Sequence, residues 1–356
     1  MTAAARRPVL VAPDKFKGTL PAGEVAVAIG RGLMSAGLEP VELQPIADGG
    51  EGSMDMLVHA RDGDTLPAQV TDPLGRPVTA AFGLLDGGKS AIVEVAQASG
   101  LWRLAPEERD ALAASTRGTG ELIAAAIDAG ARVLIVAAGG SATTDGGRGA
   151  LEALGARFTE AKADLRALRK RLRGVKIVVA CDVRNPMCGP DGAARVFAPQ
   201  KGAQPQEVEL LEEGLREWAA LARRSTKRDP SDEPLAGAGG GIAGGLWAFA
   251  DARLEPGAAL LLDEADFNSR MLGSYAVVTG EGRLDRQTLD GKAVFEVGTR
   301  CRQSGVPCYA VVGHDDLGAF DHRLMNIDVE PAALPLQESN ADDVEHAARR
   351  LGKRMS

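Results

Sequence analysis

Ala12-Pro13-Asp14-Lys15-Phe16-Lys17-Gly18-Thr19-Leu20 follows the short apolar run Val9-Leu10-Val11, and further on Ile46-Ala47-Asp48-Gly49-Gly50-Glu51-Gly52 follows Val41-Glu42-Leu43. A short strand that empties into glycines and charges is the layout of a parallel α/β sheet, which binds ligands in the loops at its carboxyl edge. Lys15 and Lys17 suit an anion, while Asp48 and Glu51 suit a hard cation or a proton to be abstracted. Together they suggest phosphoryl chemistry. Two ordinary strand-to-helix turns with solvated charges remain the competing reading of either stretch taken alone.

Working outward, 22–36 reads as a helix, with Val25, Ile29 and Leu33 on one face, Pro21 at its start and Gly37 as its stop. A second strand over 41–46 and a helix over 52–60 follow. Near Thr65 the texture changes: 68–71, 78–85 and 91–95 look like short strands joined by Pro73-Leu74-Gly75-Arg76-Pro77 and Asp86-Gly87-Gly88, a meander. Alternation returns with helices over 121–129, 145–154 and 207–224 and apolar strands over 133–138 and 175–181. The polar segment 225–234 reads as a flexible loop. Late in the chain, apolar strands at 275–279 and 308–312 flank a helix over 293–304, and 342–353 closes as a helix. These late units and the first sixty or so residues predict one parallel sheet. The middle, 66–273, then reads as a second domain inserted into a first made of 1–65 and 274–356, with the active site in the cleft between domains. A tandem split near residue 150 is the alternative.

Composition narrows the classes. The 356 residues are 45% hydrophobic and carry 44 glycines, which sit beside strand-like runs and read as loops of close backbone approach. A net charge of −8 argues against a nucleic-acid or anionic-membrane surface. Cys181, Cys188, Cys301 and Cys308 lack metal-site spacing and read as packing residues; His59, His314, His322 and His346 form no ligand set. No signal-peptide core precedes the first strand and no run reaches the roughly 18 apolar residues of a membrane span, so a cytoplasmic location is expected. A homodimer is compatible with the sequence.

Further loops carry chemistry. Gly139-Gly140-Ser141-Ala142-Thr143-Thr144-Asp145-Gly146-Gly147 lies between a strand and a helix, where backbone N–H groups and hydroxyls suit phosphate oxygens. Gly139, Gly140, Ser141, Thr143 and Asp145 are the candidate nucleotide contacts, with helix capping the competing role for Asp145. Asp182, after a buried strand in Cys181-Asp182-Val183-Arg184-Asn185-Pro186, is a candidate base or metal ligand. Gln200-Lys201-Gly202 places one cation in a loop. Gly280-Glu281-Gly282-Arg283-Leu284-Asp285-Arg286-Gln287, with Lys292 beyond, again mixes cation- and anion-holding groups. No phosphate-loop motif of the G-x-x-x-x-G-K-[ST] type occurs, Gly291-Lys292 coming closest before Ala293. Gly239-Gly240-Gly241-Ile242-Ala243-Gly244 matches G-x-G-x-x-G, but the residues before it are not strand-like, and close packing at a helix start explains it as well.

In collinear order these segments resemble the type-1 glycerate kinase family across 12–20, 47–52, 71–78, 96–101, 116–122, 139–147, 181–186, 200–203, 238–246 and 279–292. The resemblance implies ATP- and Mg²⁺-dependent phosphorylation of D-glycerate, mostly taken to occur at O2. It also implies two α/β domains, a Rossmann-like parallel one with a second inserted into it. The chain departs from the family's usual residues at Lys15 and Thr144, has a looser 235–245 segment and a shorter connection between Phe158 and Val175, and matches poorly beyond Gly313.

From these readings come the expected roles. Lys15, Lys17 and Arg283 hold the glycerate carboxylate or the transferring phosphate. Asp48 or Asp182 draws the proton from the attacking hydroxyl, and Glu281 and Asp285 are further metal or substrate ligands. Asp48, Asp182 and Glu281 are the metal candidates, and 139–147 cradles the ATP phosphates. A 3-phosphoglycerate-forming kinase and a nicotinamide-dependent oxidoreductase using 239–244 remain alternatives.

Overall fold

The structure, a computed structural model, describes residues 7–289, 292–332 and 340–356. Gly291 of the Gly291-Lys292 pair and most of the segment before the first strand therefore lie outside the described residues. In chain order the strands are β1 (Val9–Pro13), β2 (Val41–Leu43), β3 (Asp64–Thr71), β4 (Pro77–Leu85), β5 (Ser90–Glu94), β6 (Val133–Ala137), β7 (Arg157–Phe158), β8 (Ala163–Asp164), β9 (Lys176–Cys181), β10 (Arg253–Pro256), β11 (Ala276–Leu284), β12 (Cys308–Asp315) and β13 (Asp328–Pro331). The chain divides into two compact units, one of Met1–Asp48 with Ala258–Ser356 and one of Gly49–Gly257.

The first unit is built on a five-stranded sheet in the order β13-β12-β11-β1-β2, every pair parallel. All five residues of β1 are buried, as a strand covered on both faces requires. From β1 the chain moves outward to β2 on one side, and from β11 through β12 to β13 on the other. Strand order therefore reverses between β1 and β11, and that reversal opens a crevice at the carboxyl edge. One face is covered by the helices Ala22–Ser35 and Ala341–Met355, which bring Ile29 and Leu33 together with Val344 and Leu351. Gly32 makes their contact so close that a Cβ there would stand 2.3 Å from the Glu345 carbonyl oxygen.

The second unit has a six-stranded sheet in the order β10-β9-β6-β5-β4-β3. Pairs from β10 to β5 are parallel, and β5-β4-β3 is the antiparallel meander expected from the texture change. Asp72 shapes its turn by accepting bonds from the Leu74 and Arg76 backbone N–H groups, both at 2.9 Å. The helix Ser53–Ala60 packs on this sheet, where a Cβ on Gly83 would meet Val58 at 2.6 Å. The short connection after Phe158 holds the β7–β8 ribbon and the helix Arg166–Arg171.

The polar segment 225–234 is tied down, contrary to its expected flexibility. Arg228 donates to the Trp247 carbonyl at 2.7 Å and pairs with Asp251, while Ser231 donates twice to Asp229. Polarity there serves intrachain hydrogen bonds. Among the described residues no helix is long and apolar enough to cross a membrane.

Candidate functional site

Parallel alignment in the first unit brings three strand ends side by side. Pro13 pairs with Gly280, and Asp14 then donates its N–H to the Gly280 carbonyl at 2.7 Å. Beyond β2 the chain keeps following β1, with Ile46 N–H bonded to the Pro13 carbonyl at 2.9 Å, and so reaches Asp48. The result is an acid–base cluster. Lys15 Nζ stands 3.8 Å from Asp14 and 3.7 Å from Asp48. Glu281 accepts from Thr288 Oγ1 at 2.9 Å.

Asp14 and Glu281 are both buried, at 8% and 7% exposure, while the Asp48 side chain is 18% exposed and reachable. Burial pushes Glu281 up to about 8, and the nearby Asp14 and Asp48 charges add to that, against the pull of the Thr288 bond and Lys292. Burial likewise raises Asp14, with Lys15 opposing it and Asp48 reinforcing it. Sequence reasoning gives Asp14 no role of its own; its place directly after β1 is the signal that could have found it.

The remaining expected residues of this unit divide. Lys17 stands exposed in the turn closed by the Phe16–Leu20 bridge, and among the described residues no carboxylate is within ion-pair distance of it. Arg283 is half-exposed and ion-paired to Asp316, which His314 also contacts. Asp285 caps the next turn, accepting from the Thr288 N–H at 3.3 Å.

In the second unit the carboxyl ends of β5, β6 and β9 deliver Glu94, the 139–147 loop and Asp182. Gly139 leaves no room for a side chain: a Cβ would lie 2.7 Å from Gly50 Cα and 2.8 Å from Asp182 Oδ2. Its N–H bonds the Gly49 carbonyl at 3.0 Å, and at Gly140 a Cβ would stand 3.0 Å from Glu51 Oε1. Loop 49–52, loop 139–147 and Asp182 therefore converge. Glu94 anchors the first of these by accepting the Met54 N–H at 2.8 Å at a helix start, and burial raises it to about 7.

Asp145 takes the capping role. Its carboxylate accepts from Thr116 N at 2.9 Å, Thr116 Oγ1 at 2.8 Å, Gly147 N at 3.0 Å and Gly149 N at 3.1 Å. Those bonds occupy most of its lone pairs, so it shapes the loop. Ser141, Thr143 and Thr144 are buried in the same loop, and the Thr143 and Thr144 hydroxyls have no hydrogen-bond partner among the described residues. Orphaned hydroxyls beside glycine N–H groups are suited to a phosphate. Gly239–Gly241 forms a tight turn with no strand before it, so the dinucleotide arrangement is not built here.

The glycerate kinase family profile matches residues 9–356, including the stretch beyond Gly313 where the resemblance is poor by eye. The chain is 40% identical to a glycerate kinase of Bacillus subtilis, covering 96% of this chain and 94% of that one. It is 37% identical to a glycerate 2-kinase of Escherichia coli, covering 87% and 86%. A crystal structure assigned as a glycerate kinase 2 of Salmonella typhimurium LT2 superposes with a TM-score of 0.84 at 35% identity, covering 98% of each chain. With a profile spanning nearly the whole sequence and relatives matching almost end to end, the chain belongs to the glycerate kinase family.

Proposed function

We propose that this protein phosphorylates D-glycerate at O2 with ATP and Mg²⁺, giving 2-phosphoglycerate and ADP. The observation that carries the reading is the cluster of Asp48, Lys15, Asp14 and Glu281 where β1, β2 and β11 end together. Phosphoryl transfer asks the protein to position a hydroxyl, remove its proton and neutralise spreading negative charge.

Asp48 is the most exposed of the cluster's carboxylates, and Lys15 holds its carboxylate in place, so Asp48 takes the hydroxyl proton. Lys17, exposed and without an ion-pair partner among the described residues, grips the glycerate carboxylate; Arg283 is drawn to Asp316 instead. The 139–147 loop receives the nucleotide phosphates, with Asp182 beside it. The same reading takes the two compact units as one domain inserted into another.

Mg²⁺ suits these donors. It binds through one or two carboxylates and completes its shell with water and phosphate oxygens, and among the described residues no three ligating side chains converge to enclose an ion unaided. Asp48 and Glu281 in the first unit, or Asp182 in the second, are the residues that would hold it. When bound, the ion would neutralise charge on the transferring phosphoryl group.

A carboxylate anchor favours O2, because fewer free torsions separate it from the anchor than separate O3. The test is an assay of ATP consumption with D-glycerate, coupled to enolase without phosphoglycerate mutase. Enolase consumes only 2-phosphoglycerate, so phosphoenolpyruvate should form at once. Its appearance only after mutase is added would make the product 3-phosphoglycerate and defeat the anchoring argument. No ATP consumption at all would defeat the whole reading.

A further inference from the structure

Two stretches of the second unit still lack a role, Gln200-Lys201-Gly202 and the glycines 239–241, and they meet at a single atom, Lys201 Nζ. The turn Pro199–Lys201 ends at Gly202, whose φ of +100° and closeness to the Arg109 carbonyl, 2.7 Å from where a Cβ would lie, demand glycine. The turn sends the Lys201 side chain inward until the residue is 4% exposed. Its ammonium donates to Ser141 Oγ at 3.0 Å and to the Thr143 carbonyl at 2.6 Å.

The glycines at 239–241 make room for this. A Cβ on Gly240 would stand 1.8 Å from the Thr143 carbonyl oxygen and 3.0 Å from Lys201 Nζ. The two glycine stretches are also tied directly, Gly146 N–H to the Gly240 carbonyl at 3.1 Å. Close backbone packing around a buried cation therefore explains the fingerprint-like sequence.

That cation is unusual. Among the described residues no carboxylate comes within ion-pair distance of it, and Asp182 and Asp145 act on it only from farther away. Burying an ammonium without a contacting counter-charge is costly. Lysine also has only donors to offer. At Ser141 it must donate, so the oxygen accepts and the serine's own hydrogen is left to donate elsewhere. The partnerless Thr143 and Thr144 hydroxyls are in the same loop.

We propose that Lys201 is a positioning residue for the nucleotide phosphates: it holds loop 139–147 in shape, fixes the Ser141 hydroxyl as a donor to a phosphate oxygen, and supplies buried positive charge behind that oxygen. The proposal rests on the reading of this loop as the phosphate site. Lys201 itself stays covered and acts through Ser141.

The test uses full-length Lys201→Met, Ser141→Ala and the double variant, with calorimetric Kd for ADP and KM for ATP and D-glycerate. Lys201→Met should weaken ADP binding and raise the ATP KM about tenfold or more, with the D-glycerate KM within about twofold. Ser141→Ala should reproduce most of that loss, and the double variant should add little to Lys201→Met, because the pair acts as a unit. Equal rises in both KM values would mark a merely structural lysine and overturn the proposal. Wild-type affinity for ADP in Ser141→Ala would also overturn it, and that variant decides the matter should Lys201→Met fail to fold. If the wild-type protein binds ADP and Lys201→Met binds it equally well, the proposal falls and the phosphate-site reading stands. If the wild-type protein binds no nucleotide, both fall.

Discussion

The two units end their parallel strands in loops, yet they furnish those loops in opposite ways. In the first, the edge of β11-β1-β2 gathers carboxyls: Asp14 and Asp48 on either side of Lys15, with Glu281 within their field. In the second, the edge of β5-β6-β9 also delivers the carboxyls of Glu94 and Asp182, but its long loop is built from backbone, with Gly139 and Gly140 leaving no space for side chains and the Lys201 ammonium bonded to the Thr143 carbonyl within it. One edge is suited to handling a proton, the other to receiving an anion. On the proposed reading the same sheet geometry serves two chemistries, and residue choice at the strand ends decides between them.

The largest effect should come from the two half-buried aspartates of this contrast, one at each edge. Asp48→Asn and Asp182→Asn each remove a charge with little change of shape. In each, kcat should fall by roughly 10²-fold or more, the scale of general-base losses, with melting temperature nearly unchanged. The contrast predicts different companions: a raised KM for D-glycerate in Asp48→Asn, and for ATP in Asp182→Asn. Near-normal turnover in either variant would remove that carboxylate from the mechanism, and exchanged KM effects would reverse the assignment of the two edges.

A smaller but still large effect separates structural glycines from permissive ones. Gly240 has φ +71°, and a Cβ would meet the Thr143 carbonyl at 1.8 Å, whereas Gly18 has φ +83° with nothing within 4 Å. Gly18→Ala should cost about 1–2 kcal/mol, the left-handed backbone penalty alone. Gly240→Ala adds a clash with backbone that cannot swing away, and should cost on the order of 3 kcal/mol or more. Urea unfolding of both variants checks this. Equal losses would mean that the 139–147 loop can move aside, and the second edge would then be no preformed cradle.

What the sequence revealed follows the same physics. Apolar strands buried on both faces, such as β1, β6 and β9, announce themselves as runs of Val, Leu, Ile and Ala, and the long amphipathic helices by their spacing. Strands β10 and β13 do not, being four residues each, Arg253-Leu254-Glu255-Pro256 and Asp328-Val329-Glu330-Pro331, at sheet edges where polar residues and proline are tolerated. The glycine loops were legible as sites of close approach, but what approaches was not. Lys201 comes to Ser141 from 60 residues away, a pairing that no local pattern encodes. Asp145 shows the converse: its capping bonds depend on Thr116, whose side chain reaches it across 29 residues of sequence.

The smallest expected effect is on stability against pH, and its sign differs between the two edges. Burial raises Glu281 to about 8, so between the ordinary glutamate range and pH 8 the folded protein keeps a proton that the unfolded chain has released. Stability from this group is therefore full at acid pH and declines as pH rises through 8. Lys201 is lowered by burial to about 8, so above that pH the folded protein has lost a proton that the unfolded lysine keeps until near pH 10.4. Its penalty is largest below pH 8 and fades above it. Glu281→Gln keeps an acceptor for Thr288 and removes the titration, so its melting temperature relative to wild type should climb between pH 5 and 8. Lys201→Met should instead lose ground relative to wild type between pH 8 and 10. Within its window each difference should change by up to about 1.4 kcal/mol per pH unit, the worth of a tenfold change in a protonation equilibrium. Parallel profiles for Glu281→Gln and wild type would mean that water reaches the first edge and its carboxyls titrate normally. A flat difference for Lys201→Met would mean the same of the ammonium, and the contrast between the two edges would reduce to geometry alone.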